Sequence, residues 1–358
     1  MFLYLITIIL IFISSLLIPN NKESKFLYLL SIGFVFVSVT IVIILNPPSS
    51  DMFRYLRVLN NMKYVKFLEA FDITRFEGLF TIYLWLVARI STNQVFFMVL
   101  NLLIILSLML LALRKIISLN ALMLIAFGYM SLFTFYNLTT NILRQGFASA
   151  FVIFSIVCLI KNKYFKSLIL LIIATFFHTS AVIVLPLLIV KKFNYQLKSI
   201  LIIYVFSAFM MFSGLNSIVL NIFQLVDSTI IGSSIVSYSQ ESIIERYGPT
   251  NRFDFFIFNT FWLVLGLLAY KYLINKDAIY KLIISFYAIL TSIFMILGFI
   301  AYSDRIAAYS WILIPLVLVY PVDNISKRYK KLYLIGLIGI FVFLFMFFGI
   351  YSRYLFII

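Results

Sequence analysis

Five short polar clusters interrupt a sequence that is otherwise apolar, and each joins residue types able to act on a phosphate or a sugar. Asp51, Arg54 and Tyr55 follow a Pro47-Pro48 break at a spacing that one helix would gather on one face. Phe76-Glu77-Gly78-Leu79-Phe80 puts a carboxylate at the start of an apolar stretch. There Glu77 either steadies a helix dipole, worth roughly 0.3 to 1 kcal/mol, or orients a reacting group. Asn141-Ile142-Leu143-Arg144-Gln145-Gly146-Phe147-Ala148 offers a guanidinium and an amide beside a helix N-terminus, a favourable place for a diphosphate. His178, the only histidine, lies in Thr175-Phe176-Phe177-His178-Thr179-Ser180-Ala181, where neighbouring hydroxyls can satisfy it or where it can take a proton or hold a sugar hydroxyl. Tyr302-Ser303-Asp304-Arg305-Ile306-Ala307-Ala308-Tyr309 closes the set, with Asp304 either pairing with Arg305 or aiming it, and Tyr302 or Tyr309 able to stack on sugar rings.

The elements that must position these residues are membrane helices. Of 358 residues, 64% are hydrophobic and 11% charged, with a mean hydropathy of +1.13, and no soluble fold hides so much apolar surface. No hydrophilic stretch is long enough for a separate domain, so residues 1–358 read as a single transmembrane domain with outer loops 46–75 and 221–253. A hydrocarbon core of about 30 Å needs about 20 apolar residues per helix. Spans are expected at 1–18, 26–45, 95–113, 116–136, 141–160, 199–220, 254–273, 282–302, 306–320 and 332–351, which makes an all-α polytopic protein of about 10 to 12 transmembrane helices. Segment 76–90 is short and charged and is expected to lie in or dip into the outer leaflet, while 167–190, with His178 near its middle, reads as a re-entrant pair of half-helices. The opening MFLYLITIIL lacks a basic n-region and reads as a retained helix rather than a cleaved signal peptide, compatible with an N-terminus outside.

With that alternation, one face carries 17 basic residues, 15 of them lysine, and is cytoplasmic by the positive-inside rule. The opposite face carries 11, of which nine are arginine. Orientation needs only point charge, whereas the planar guanidinium fork matches phosphate oxygens, so the outer face is expected to capture a phosphate-bearing ligand. Outer acids can pair with the loop arginines Arg57, Arg75, Arg246 and Arg353; Arg144 and Arg305, at the ends of apolar helices, are too costly there without a function. The net charge of +16 is scattered through short loops, so anionic membrane lipids are the expected partners and nucleic acid is not. A single cysteine, Cys158, excludes an intrachain disulfide and a cysteine metal site. The absence of a Gly-rich nucleotide loop, HExxH, DxD or Walker pattern leaves a nucleotide-sugar donor or a metal without an evident site. No cofactor is therefore expected, and a lipid-linked donor fits best.

At these five clusters, spread over about residues 50 to 310, the chain resembles the EpsG/Wzy group of bacterial O-antigen and exopolysaccharide polymerases; Gly78 stands where members often have proline. The resemblance implies a GT-C-like, multi-pass glycosyltransferase of the bacterial cytoplasmic (inner) membrane. Such an enzyme transfers glycan from undecaprenyl diphosphate to a lipid-linked repeat unit on the outer face, alongside a flippase and a chain-length regulator. Loss of a diphosphate needs charge neutralisation more than a general acid. Arg144, Arg305 and either Arg54 or Arg252 are therefore expected at the diphosphate, with Gln145, Tyr55, Tyr302 and Tyr309 contacting substrate, and His178, Asp51 or Glu77 as the base. A flippase of lipid-linked oligosaccharide is the main rival, expected to show internal repeats and midplane charges. A membrane acyltransferase would need a cytoplasmic acyl donor, and a purely structural subunit would waste its intramembrane polar groups.

Overall fold

The computed structural model describes residues 50–225, 230–274 and 277–348, with residues 30, 33, 36, 37, 40 and 41. Every described element is a helix. We number the main ones α1 Ser50–Met62, α2 Gly78–Ile90, α3 Gln94–Leu113, α4 Leu119–Ser131, α5 Phe133–Thr140, α6 Leu143–Ile160, α7 Tyr164–Phe177, α8 Leu197–Ser213, α9 Ile230–Tyr238, α10 Glu241–Tyr247, α11 Phe253–Tyr272, α12 Ala278–Ile296, α13 Ser303–Trp311 and α14 Lys327–Phe348. Among the described residues six helices are long and apolar enough to cross a bilayer, and two bent pairs make up to eight. The protein is an all-helical, multi-pass membrane protein. The expected span 1–18, nearly all of 26–45, the outward N-terminus and Arg353 lie outside the described residues.

Local sequence explains the helix starts. Asn93 accepts the Phe96 N–H (3.1 Å), Ser118 that of Ala121 (3.2 Å) and Asp277 that of Tyr280 (2.7 Å), each relieving a donor that the first turn leaves unpaired. Several expected spans are corrected. Segment 116–136 bends by 78° between α4 and α5, and 199–220 bends by 94° after α8, where Gly214 adopts a left-handed φ of 74°. Segment 282–302 ends its helix at Ile296, and 306–320 belongs to a longer apolar run, Ser303–Asn324. At 13 residues α2 is only about 20 Å long, short of a bilayer core. Segment 167–190 breaks at His178, where α7 gives way to a 3₁₀ turn, Thr179–Val184, and then to Pro186–Lys192.

The described chain forms two compact units. The first takes the residues before Cys158, Ile172–His178 and those after Pro321; the second takes Cys158–Leu171 and Thr179–Pro321. In the first, α1 lies along α2, α5 against α3, and α4 against α14 through Phe127 and Phe341 (5.9 Å). Arg89 has a structural role. It stacks on Trp85 (4.5 Å) and donates to the Met62 carbonyl (3.0 Å) and to those of Lys63 and Val65, satisfying the open end of α1.

α3 serves as a ruler for depth in this unit, being 20 residues and about 30 Å long. A Cβ on Gly146 would stand 2.9 Å from Ile105 Cδ1, so the start of α6 meets the middle of α3 rather than its end. Eight residues further along α6, Phe154 reaches Lys115 just beyond the α3 C-terminus (4.3 Å). α6 therefore begins about halfway along α3.

In the second unit α8 lies along α12, and α12 packs on α11 and α13. A polar knot fixes them. The Asn259 Oδ1 accepts from Tyr287 (3.1 Å), Thr291 (3.2 Å) and Ser310 (2.9 Å), and its Nδ2 donates to the Phe255 carbonyl (2.9 Å). All four side chains are buried. Asn259→Leu strips one acceptor from three buried hydroxyls and is expected to destabilise the protein by about 1 to 3 kcal/mol, read as a lower melting temperature in detergent. An unchanged melting temperature would show that the knot contributes nothing.

Candidate functional site

Three of the expected residues, from three separate segments, meet at one carboxylate. Glu77 leads into α2 in extended backbone and makes no capping bond; its Oε2 accepts from Arg144 (2.7 Å) and its Oε1 bonds His178 Nδ1 (2.9 Å). The dipole reading of Glu77 is thus displaced by a pairing that closes loops of 67 and 101 residues. Glu77 lies outside the six membrane-length helices. Burial alone would raise its carboxyl, but the His178 hydrogen bond and the Arg144 charge outweigh that and lower it to about 2.

Aromatic rings hold the triad. Phe177, the residue before His178, stacks between Phe147 (5.2 Å) and Phe151 (5.4 Å) of α6, tying the end of α7 to the helix that carries Arg144. Tyr55 hydrogen-bonds the Arg144 guanidinium and packs on Phe76 (5.4 Å) and Phe80 (5.2 Å). Phe76 takes Arg144 at 5.0 Å and Arg54 at 5.1 Å from its ring centre, so one ring places two guanidinium groups. Arg54 is exposed, Gln145 is buried, and Asp51 is half-buried in the first turn of α1; the acid that meets Arg144 and His178 is Glu77. The Nε of Arg144 is buried without a hydrogen-bond partner, a cost that native structures rarely leave standing.

The second unit holds the remaining candidates, in a different setting. Arg305 stacks on Tyr302 (4.2 Å). Arg252 is engaged locally: its Nε donates to Asp254 (2.7 Å), a second nitrogen bonds the other carboxylate oxygen, and the group lies over Phe255 (4.0 Å). Tyr309, unlike Tyr302, is wholly buried, and its hydroxyl bonds Ser180 (2.9 Å).

The sequence profile of the EpsG family matches residues 30–357. The chain belongs to the EpsG family. No curated protein and no solved structure matches it. Membership agrees with the resemblance seen at the five clusters and supports a membrane protein of the polysaccharide-polymerase type. In this EpsG-family chain, sequence reasoning picked out Glu77, Arg144 and His178 because charge in apolar sequence is expensive. It missed Phe76 as the ring shared by two arginines, and the only available signal was its place beside Glu77. It also passed over Asn259, whose buried amide gives no distinctive pattern in sequence.

Proposed function

We propose that this protein polymerises lipid-linked sugars: it is a glycosyltransferase that moves a glycan from undecaprenyl diphosphate to the sugar hydroxyl of another lipid-linked repeat unit. The observation that carries the reading is the Glu77 carboxylate joined to both Arg144 and His178. A carboxylate on Nδ1 fixes the ring tautomer with its lone pair on Nε2, the arrangement that makes histidine a general base. In this reading His178 Nε2 takes the proton of the acceptor hydroxyl, and the acceptor oxygen bonds to the anomeric carbon of the donor. The bond from that carbon to the diphosphate oxygen breaks, and its electron pair leaves with the diphosphate. Glu77 orients His178 rather than acting as the base, since a carboxyl lowered to about 2 accepts protons poorly. Arg144, whose buried Nε is unspent, and Arg54 beside it on Phe76 supply the charge that the departing oxygens need, without a metal ion.

The setting that fits is the outer face of a bacterial cytoplasmic membrane, with a flippase delivering the repeat unit and a chain-length regulator acting on the product. A GT-C-like arrangement of about 10 to 12 crossings would accommodate the eight possible spans described and the two expected before residue 46. A specific observation favours flippase as the second reading: helices of 13 or 14 residues, α1, α2 and the α7 leading to His178, bring their residues to a charged site, as discontinuous helices do in transporters. Purified protein reconstituted with undecaprenyl-diphosphate repeat unit separates the two. A ladder of longer glycans is expected; translocation of the repeat unit with no bond formed would establish the flippase instead.

A further inference from the structure

We propose that Tyr247, backed by Tyr302 and Tyr238, is a stacking platform for the pyranose rings of the glycan chain, a subsite of the second unit separate in role from the bond-forming residues. The Tyr247 ring lies 4.0 Å from that of Tyr302, and the Tyr238 ring 5.2 Å from it on another side. Arg305 covers Tyr302 at 4.2 Å. Tyr302 is therefore a backing ring, occupied on its sides, and Tyr247, 49% exposed, is the ring left accessible.

The backbone holds this cluster still. Tyr302 has a left-handed φ of 62° and Asn251 one of 49°, conformations that non-glycine residues keep only where their surroundings enforce them. The enforcement is visible. The Ala301 N–H donates to the Tyr238 carbonyl (2.9 Å), the Asn251 N–H to that of Gly298 (2.7 Å), and buried Asn216 bridges Asn251 Oδ1 (2.7 Å) and the Met295 carbonyl (2.9 Å). A Cβ on Gly298 would fall 2.8 Å from Asn251 Oδ1, so the two turns meet as closely as glycine allows. Gly248, at a φ of 103°, turns the chain immediately after Tyr247.

The chemistry around the exposed ring selects a sugar. A pyranose has a C–H face that packs on an aromatic ring and a rim of hydroxyls that seek planar hydrogen-bonding groups. Arg246 comes only to 5.7 Å from the centre of the Tyr247 ring, more loosely than Arg305 on Tyr302, and with the Arg252 and Asp254 pair and Arg305 it supplies guanidinium and carboxylate edges in the same unit. A rigid, accessible ring loses little conformational entropy on binding, which suits a subsite that must grip and release successive repeats.

This inference rests on the reading of the protein as a polymerase of lipid-linked sugars, and its test avoids the reaction. Repeat-unit oligosaccharide freed of lipid and diphosphate by mild acid is titrated into the purified full chain by calorimetry. Saturable binding is expected, weakened about ten-fold in Tyr247→Ala and held within about three-fold in Tyr247→Phe, which keeps the ring and loses only the hydroxyl. Absence of binding by the native chain, equal binding by Tyr247→Ala, or an equal loss in Tyr247→Phe overturns the platform and leaves the tyrosines as a membrane-interface belt. Should Tyr247→Ala not be obtained folded, Tyr247→Leu, apolar and of useful bulk but without a ring, replaces it with the same expectation. Because bond formation is not measured, loss of the His178 assignment would leave this result untouched.

Discussion

His178→Ala is expected to lower the rate of glycan ladder formation by about 10² to 10⁴-fold, the usual worth of a positioned general base, with little change in the binding of the lipid-linked substrate. Glu77→Gln should cost less, because an amide can still hold the ring while losing the negative charge that favours its protonated form. The pH profile distinguishes the two roles. Glu77 itself, lowered from 4.5 to about 2, stays ionised throughout the working range, so an acid limb near neutrality belongs to another group. Removing the carboxylate charge is expected to move that limb to lower pH in Glu77→Gln. Any slowing of the double variant beyond His178→Ala alone reports what Glu77 does through Arg144 rather than through the ring. A His178→Ala protein that polymerises at the native rate would remove the base from the mechanism. Glu77 also carries a stability signature of defined sign: the stabilisation from its lowered carboxyl is present above about pH 4.5 and is lost as the pH falls toward 2.

Among the described glycines, Gly146→Ala is expected to be the most damaging change. The added Cβ would stand 2.0 Å from the Leu138 carbonyl oxygen, a backbone atom that no rotamer change can move. The start of α6 must then shift from α5, carrying Arg144 away from Glu77, at an overpacking cost of about 1 to 3 kcal/mol. A clear drop in melting temperature together with loss of ladder formation is predicted. Gly336→Ala and Gly339→Ala are the matched controls: both lie in α14 with nothing within 4 Å of the new methyl, and alanine favours a helix over glycine by about 1 kcal/mol. If Gly146→Ala melts and polymerises as those controls do, the close approach of α5 and α6 has no part in placing the arginine.

The sequence made the long helices readable where twenty apolar residues run without interruption. The expected 95–113 became Gln94–Leu113, and 254–273 became Phe253–Tyr272. It concealed the bends. No proline or glycine stands at the 78° turn at Leu132, and α4 and α5 both pack against α3. Gly214 was a usable signal, since a left-handed residue ends a helix more cheaply as glycine than as anything else. At the site, the residue types were legible and the partnerships were not. Glu77, Arg144 and His178 each stood out as polar groups in apolar surroundings, but only the fold shows that one carboxylate serves both the guanidinium and the imidazole. Tyr309 resembled Tyr302 in sequence, seven residues away, yet one ring is buried and the other reaches a turn, a distinction that depends on α12 and its neighbours.

Were α3 to cross the bilayer along its whole length, the place of Arg144 beside its midpoint would have an electrical consequence. A lipid diphosphate with two negative charges that descends halfway through the span crosses about half of the transmembrane voltage. At about 2.3 kcal/mol per charge for 100 mV across the full thickness, that journey costs about 2.3 kcal/mol against an inside-negative potential. An energised cell would therefore hold the departing group less firmly than a resting one, and the membrane voltage would act as a force that clears the pocket after each sugar bond is made.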